Sequence, residues 1–302
     1  MQEYIDLIVS GFSGYANYLW QEITWSSANW KPWYENYFYL LIVLSLVVWG
    51  IELSSPWRKN QAPIRKDFWL DAFYMFFNFF LFSLVGYNSL SMVGVELFSE
   101  FLGMFGITNL VAFEVASWPH WAQLLTMFLL VDFISWWTHR LLHRVPFLWK
   151  FHKVHHSVKQ MGFAAHLRYH WMETIVYKSI QYVPLAMIGF GLQDFFIIHM
   201  VALAIGHINH ANLDWDYGPL RFVLNNPKMH IWHHAKDIGN NHYGVNFGIS
   251  LSAWDYIFGT AYIPHDGRDI ELGYPGDESM PEGFIGQSIA PFKAERARHF
   301  EK

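Results

Sequence analysis

Apolar positions first recur at Ile5, Ile8, Phe12, Tyr15 and Leu19, a 3-4-3-4 spacing that marks one stripe of a helix. Trp20, Trp25, Trp30 and Trp33 follow it, so residues 1–33 read as a helix lying at a membrane surface or packed on the chain's own helices. That stretch has no basic start and no continuous apolar core, which argues against a signal peptide. Beyond it the pattern changes to unbroken apolar runs. The first, 34–53, has the ~20 residues that a hydrocarbon core requires, and a second covers 68–89. Residues 90–118 mix apolar and acidic positions and are expected to form a re-entrant or surface helix on the outer side. A third run, 118–137, leads into a basic, histidine-rich stretch. The runs 171–190 and 192–207 then form a hairpin about a GFGLQD turn. From Asn212 onward the chain is polar and rich in Gly, Asp and Asn, ending in the charged KAERARHFEK.

The periodicity therefore predicts an all-α membrane protein with four to five transmembrane helices and a cytoplasmic helical cap. Four regions follow: an N-terminal interfacial segment (1–33), transmembrane helices with an outer segment (34–130), a histidine-rich region containing the hairpin (131–264) and a polar tail (265–302). Charge sets the orientation. The loop between the first two runs carries Arg58, Lys59, Arg65 and Lys66, whereas the segment before them carries Glu3, Asp6 and Glu22 against Lys31. Basic loops stay in the cytoplasm, so the N-terminus is expected outside. Counting runs from there places every histidine cluster on the cytoplasmic side.

Composition narrows the chemistry. Charged residues make up 15% of the 302, below the about 25% of soluble domains. A mean hydropathy of +0.13 is low for a bare bundle of spans and calls for a sizeable polar part. The net charge of −5 offers no basic field for nucleic acid. With no cysteine, the chain has no disulfides, thiolate haem, cysteine-held iron–sulfur clusters or cysteine zinc sites. The 16 Trp and 16 Tyr suit interfacial belts, and the 17 His are the outlier.

Five of those histidines fall within residues 138–157, THRLLHRVPFLWKFHKVHHS. His139 and His143 form HxxxH, one helical turn apart on one face. His152, His155 and His156 form HxxHH, which on a helix shares a face, and His230, His233 and His234 repeat it. At this histidine frequency a lone HxxxH arises by chance about once, whereas HxxHH is expected roughly 0.05 times and occurs twice. Without a metal, these would be helix-end residues or a solvated polar face, but so many imidazoles together repel when protonated. Imidazole binds iron, zinc and copper alike. Eight ligands exceed the four that satisfy zinc, so two metals fit better. Hydrolytic dizinc sites normally include carboxylates and no HExxH occurs, whereas an almost all-imidazole site with spare positions suits iron.

HxxxH, HxxHH and HxxHH in this order resemble the fatty acid hydroxylase/sterol desaturase superfamily of integral-membrane di-iron oxygenases. LRYHWMETI resembles the family's R-x-H-x-x-E segment through Arg168, His170 and Glu173. HANL (His210 onward) followed by GPL resembles the stretch before the third box. NFGISLSAWDYIFGTAY, residues 246–262, resembles the closing N-[FY]-G-x-x-L-S-x-W-D-x-x-F-G-T signature. The resemblance runs over 131–264. It implies eight metal ligands in the three boxes, His170 and His210 as the next ligands or supports, and two iron ions with O2 as co-substrate. It also implies hydroxylation or desaturation of a lipid C–H bond. His207 departs from the family, whose second histidine before the His210 position lies further upstream, and it stands as a ligand or a structural residue. His242 is unassigned, and His120, His166, His199, His265 and His299 are expected to have no metal role. Asp132 and Glu173 are candidate hydrogen-bond partners of ligand imidazoles. Asn209 and Asn246 are possible donors near the site, while Asp255 and Trp254 are expected to fix local folding.

The chain shows no flavin motif, GxGxxG or haem pair, so electrons are expected from a ferredoxin or a cytochrome b5 with its reductase. A bacterial inner membrane is preferred over the ER membrane, since no ER-retention signal ends the chain. Two other classes compete, a zinc-dependent membrane hydrolase and a metal-binding membrane transporter. A transporter would spread its histidines and acids through the spans, whereas here they gather at the ends.

Overall fold

The computed structural model describes residues 2–25, 32–81, 89–107, 111, 115–188 and 192–293. The middle of the hairpin turn, the end of the second apolar run and the charged tail with His299 lie outside the described residues. Among the described residues the chain is helical, without a strand. Three isolated bridges, Pro56–Leu213, Leu224–Leu251 and Ala235–Leu272, tie its loops.

Helix α1 (Gln2–Thr24) packs on α4 (Ser89–Gly103) and on α2 (Tyr37–Ser54), joined to α4 by the Tyr4 hydroxyl and Glu100. Its packed stripe runs through Ile8, Tyr15 and Leu19 as the periodicity predicts, while Ile5 and Phe12 face outward. The N-terminal end of α2 is fixed by the buried Asn36. Its Oδ1 accepts from Phe38 N and Tyr39 N, and its Nδ2 donates to Glu22 O at the end of α1. α3 (Phe68–Phe76) continues as a π-helical turn, 77–81. α5 (His120–Arg144) has 25 residues, about 37 Å of helix. It turns a corner at Val145 into α6 (Pro146–His152), where Pro146 takes the first-turn position that has no amide bond to lose. α7 (Trp171–Ile188) and α8 (Leu192–His210) occupy the two runs read as hairpin arms, with the turn between them outside the described residues. The polar C-terminal region holds α9 (Pro227–His233), α10 (Ala253–Ile257) and α11 (Phe284–Ile289).

By length and apolar composition one described helix, α2, suffices to cross a membrane, with shorter apolar helices at 68–81 and 197–210. The other apolar runs read from the sequence are also helical over their described residues but do not meet that criterion there.

Buried charge organises the loops between helices. Arg168 donates to Asp67, Asp71 and Ser157, and Arg65 joins Asp71 at 2.5 Å. This network ties the residues following the first HxxHH to the start of α3. Two guanidinium groups share the Asp71 carboxylate, which is fully buried. Removing one partner of a buried ion pair strands the other charges at a cost of about 3–5 kcal/mol. Asp71→Asn should therefore lose most of its folded yield and unfold at a markedly lower temperature in detergent, as read by a thermal melt.

Candidate metal centre

Nine histidines converge in two groups. His139, His143, His152, His156 and His233 form one; His155, His210, His230 and His234 form the other. Within each group the candidate ligand nitrogens lie within 4.8 Å of one another. His139 and His143 come from the last turn and a half of α5. α6 delivers His152 at its end, and a separate 3-10 turn carries His155 and His156. α8 ends on His210, and α9 supplies His230 and His233 with His234 just behind. The N-terminus of α9 is set by Asn226, whose side chain accepts from Met229 N at 2.9 Å, with Pro227 following.

The hydrogen bonds of the rings fix where their lone pairs point. His139 Nδ1–H donates to Phe247 O (2.8 Å), His233 Nδ1–H to Val245 O (2.7 Å), His155 Nδ1–H to Arg168 O (3.0 Å) and His210 Nδ1–H to Gly206 O (2.8 Å). His152 Nδ1–H donates to the Glu173 carboxylate at 2.8 Å. Carbonyl and carboxylate oxygens only accept, so the proton of each neutral ring is on Nδ1 and its Nε2 carries a lone pair. Burial holds the imidazoles neutral. His139 is pulled down to about 4 and His155 to about 3, and desolvation, with neighbouring imidazoles, takes the other box histidines well below the usual range.

These lone pairs face one another. His139 Nε2 lies 3.1 Å from His152 Nε2, and His155 Nε2 lies 3.3 Å from His210 Nε2, although neither atom in either pair has a proton to give. The buried Nε2 atoms of His143, His156, His233 and His234 have no hydrogen-bond partner. Buried nitrogens that neither donate nor accept are unfavourable unless a cation stands among them. Two imidazoles bound side by side at ~2.1 Å would hold their nitrogens ~3 Å apart. The donor set thus fits two metal ions, one per group. His156 and His234, from different groups, stack at 4.5 Å between ring centroids, so the two groups adjoin.

The supports are largely main chain. Asn246 adopts the left-handed conformation (φ +52°), and its side chain donates to Met229 O and Tyr262 O and accepts from Tyr262 N. It thereby clamps α9 to the loop whose flanking carbonyls, Val245 and Phe247, orient His233 and His139. Asp255 accepts from Phe247 N, Gly248 N, Trp136 Nε1 and Thr260 Oγ1, which fixes that loop on α5. Asp132, expected to hold an imidazole, instead accepts from Ser250 N, Leu251 N and Trp254 Nε1. Its carboxylate meets main-chain donors that the loop 250–254 turns towards α5. Asn209 donates to Ile249 O, again a loop contact. Glu173 does hold an imidazole, that of His152.

Two candidate ligands stand outside both groups. His170 uses both ring nitrogens. Nε2–H donates to Ser288 O (2.9 Å) and Nδ1 accepts from Met172 N (3.1 Å), making a strut between α7 and the C-terminal helix. The ring of His207 lies between Ser45 Oγ (3.3 Å) and His166 Nδ1 (3.0 Å). His166, expected to have no role at the centre, also packs on His210 at 5.0 Å and fills the space left by Gly206. A Cβ on Gly206 would meet that ring at 2.2 Å. His120 pairs with Asp194, and His265 packs on Trp232 at the periphery. A cavity of about 220 Å³ opens from His139, His152, His155, His210 and His230 and runs between α5, α7 and α8, with His199 in its wall. The wall could not be read from the sequence, because three helices from distant stretches supply it.

Residues 124–260 match the family model for fatty acid hydroxylases. The chain is 33% identical over 178 residues to the ornithine lipid hydroxylase OlsE of Rhizobium tropici, covering 58% of this chain and 52% of that one. Identity to the human alkylglycerol monooxygenase is 35% over 137 residues, 44% of this chain and 29% of that one. A very-long-chain aldehyde decarbonylase of Oryza sativa subsp. japonica, GL1-10, is 26% identical over 264 residues, 81% of each chain. The chain thus spans about half the length of the first relative and under a third of the second. No solved structure gives a significant match.

Glu173→Gln keeps the shape of the His152 partner but removes its charge. Loss of such an outer partner typically lowers metal affinity 10–100-fold. A competitive metal titration should show that weakening in the five-histidine group, with the four-histidine group little changed.

Proposed function

Residues 124–260 form a fatty acid hydroxylase domain, which places the chain in the fatty acid hydroxylase/sterol desaturase superfamily, and from that membership we propose that it is an O2-dependent lipid oxygenase with two iron ions. The observation that carries the reading is the convergence of nine neutral imidazoles, in two adjoining groups, at the end of a largely apolar cavity. Histidine with few carboxylates and spare positions suits iron that must engage an exogenous ligand. In this reading the five-histidine group and the four-histidine group each hold one iron, and His170 and His207 support the assembly without binding metal. When bound, the iron pair supplies the redox chemistry that activates O2 towards an unactivated C–H bond.

The chain's own residues do the rest. Phe247, Val245, Arg168 and Gly206 hold four rings by their main-chain carbonyls, and Glu173 holds a fifth, so the donor set is preorganised. The apolar cavity excludes bulk water and places a lipid carbon beside His139, His155 and His230. Hydroxylation balances as R–H + O2 + two electrons + two protons giving R–OH and water; a second hydrogen removal would give a double bond. Electrons come from an external carrier, a ferredoxin or a cytochrome b5 with its reductase. The relatives' names include hydroxylation of an ornithine lipid and oxidation of alkylglycerols, so a polar membrane lipid is the substrate class. The apolar helix α2 and the shorter apolar helices anchor the protein in the membrane as a multi-pass protein, with four to five crossings and the metal centre on the cytoplasmic side.

Metal analysis joined to an anaerobic assay tests this reading. The purified chain should hold two irons and release an oxidised lipid only with O2 and a reductant; zinc with oxygen-independent turnover would overturn it. His155→Ala and His233→Ala each remove a ligand from a different group. Each should cut turnover at least 100-fold and lower the iron content, while His265→Ala changes neither.

A further inference from the structure

The nine rings are not equally enclosed. Eight are buried and His143 is half-buried. The Nδ1 edge of His143 lies against Gly244, where a Cβ would come within 2.8 Å of it. Trp149, also half-buried, packs on the same group, its ring 5.0 Å from His143 and 5.3 Å from His156 between centroids. His143, Trp149 and His156 take no part in the cavity lining, which reaches this group through His139 and His152. The centre therefore has two sides, one towards the cavity and one towards the surface at His143. That surface is basic and aromatic. Between Asp132 and Glu173 the chain has no acidic residue. Of the cations there, Arg168 and Lys159 are engaged by Asp71 and Asp277, whereas Arg140 and Arg144 stand one turn apart at the end of α5. The exposed Arg144 guanidinium lies 5.2 Å over the ring of Tyr243, which is 59% exposed and precedes Gly244. Tyr274 packs on Trp149 at 5.8 Å, and the Asp277 carboxylate that accepts from its amide is held by Lys159 and Lys236.

Resting on the lipid-oxidation reading above, we propose that the surface formed by Arg140, Arg144, Tyr243 and Trp149 docks the electron carrier, a protein whose redox group is ringed by carboxylates. Electrons then enter the five-histidine group at His143, on the side that does not line the cavity. Each encounter oxidises the carrier by one electron and reduces the centre by one. Two encounters supply the pair that hydroxylation consumes, and the two protons come from water. Electron-transfer encounters are small, burying under about 1,200 Å² in total, so a few strong contacts suffice. Arginine, tyrosine and tryptophan are the residue types that dominate such contacts. Opposite charge steers the approach and makes it salt-dependent. An anionic membrane surface would also meet these arginines. It gives no reason for a metal-binding ring to reach the surface beside them, whereas electron entry does.

Binding tests this without requiring turnover. The iron-loaded full chain, in nanodiscs of phosphatidylcholine, is titrated with the soluble domain of a cytochrome b5 and with a [2Fe–2S] ferredoxin. At least one should bind, with an affinity that falls steeply as salt rises. Arg144→Glu should weaken that binding about tenfold or more with iron content unchanged. Lys66→Glu, which reverses an exposed cation outside the patch, should change it less than about threefold. Dithionite, a small reductant that needs no docking, should reduce the Arg144→Glu centre as fast as the unaltered one, which separates lost docking from a damaged site. Failure of both carriers to bind, or binding that survives Arg144→Glu, would overturn the proposal. An Arg144→Glu chain that keeps the carrier but loses affinity for phosphatidylglycerol vesicles would make the patch a membrane contact instead. If a carrier docks through Arg144 but the iron-loaded chain oxidises no lipid with O2, the oxidation reading fails and the docking surface stands.

Discussion

The structure depends on keeping nine imidazoles neutral, dry and turned towards two points. Packing them at ring-to-ring distances of 4.2–6.4 Å buries them together, where an Nδ1–H needs an acceptor inside the fold. For four of the nine rings the fold answers with main-chain carbonyls, while the buried Nδ1 atoms of His230 and His234 have no hydrogen-bond partner. Phe247, Val245, Arg168 and Gly206 each take one Nδ1 proton. A carbonyl cannot donate, so the tautomer is set and the Nε2 lone pair is committed to the interior. Glu173 performs the same task for His152 with a side-chain carboxylate oxygen in place of a carbonyl.

This requirement explains why so much of the polar C-terminal region exists as irregular chain. Inside regular helices carbonyls bond i to i+4, and three of the four that receive imidazole protons, those of Phe247, Val245 and Arg168, lie outside such helices, while Gly206 O sits in the last turns of α8. The 245–248 loop supplies two of them because Asn246 bends the backbone into the left-handed region and pins it through three hydrogen bonds. Asp255 and Asp132 then fasten that loop to α5, the helix that carries His139 and His143. The buried carboxylates on and around α5 thus serve the loop, and the loop serves the histidines.

Much of this was legible in the sequence, and what was missed has physical causes. The HxxxH and HxxHH spacings marked the eight box histidines because metal sites need several imidazoles from few elements. Resemblance added His210 and Glu173. The helices α7 and α8 were legible from their apolar runs. The roles of Asp132 and Asn246 were not, because each meets partners more than a dozen positions away. Nor was the setting of His170 and His207. Local spacing cannot reveal that Ser288 O and Met172 N occupy both nitrogens of one ring, or that Ser45 and His166 flank the other.

The HxxHH motif itself acquires a different meaning. On a continuous helix its three histidines would share a face, yet α6 ends at His152 and the chain tightens into a 3-10 turn. His152 and His156 enter the five-histidine group while His155, its ring at 88° to that of His156, enters the other. The second copy makes the reciprocal division: His230 and His234 join the four-histidine group and His233 crosses over. Each motif therefore bridges both groups, giving two and one where the other gives one and two. HxxxH then adds two rings to one group, and His210 adds a single ring to the other. The asymmetry has a direction. Three of the four rings in the smaller group, His155, His210 and His230, line the cavity, against two of five in the larger. Metal sites with fewer protein ligands keep positions for an exogenous one, and the less filled group is the one that opens most into the cavity.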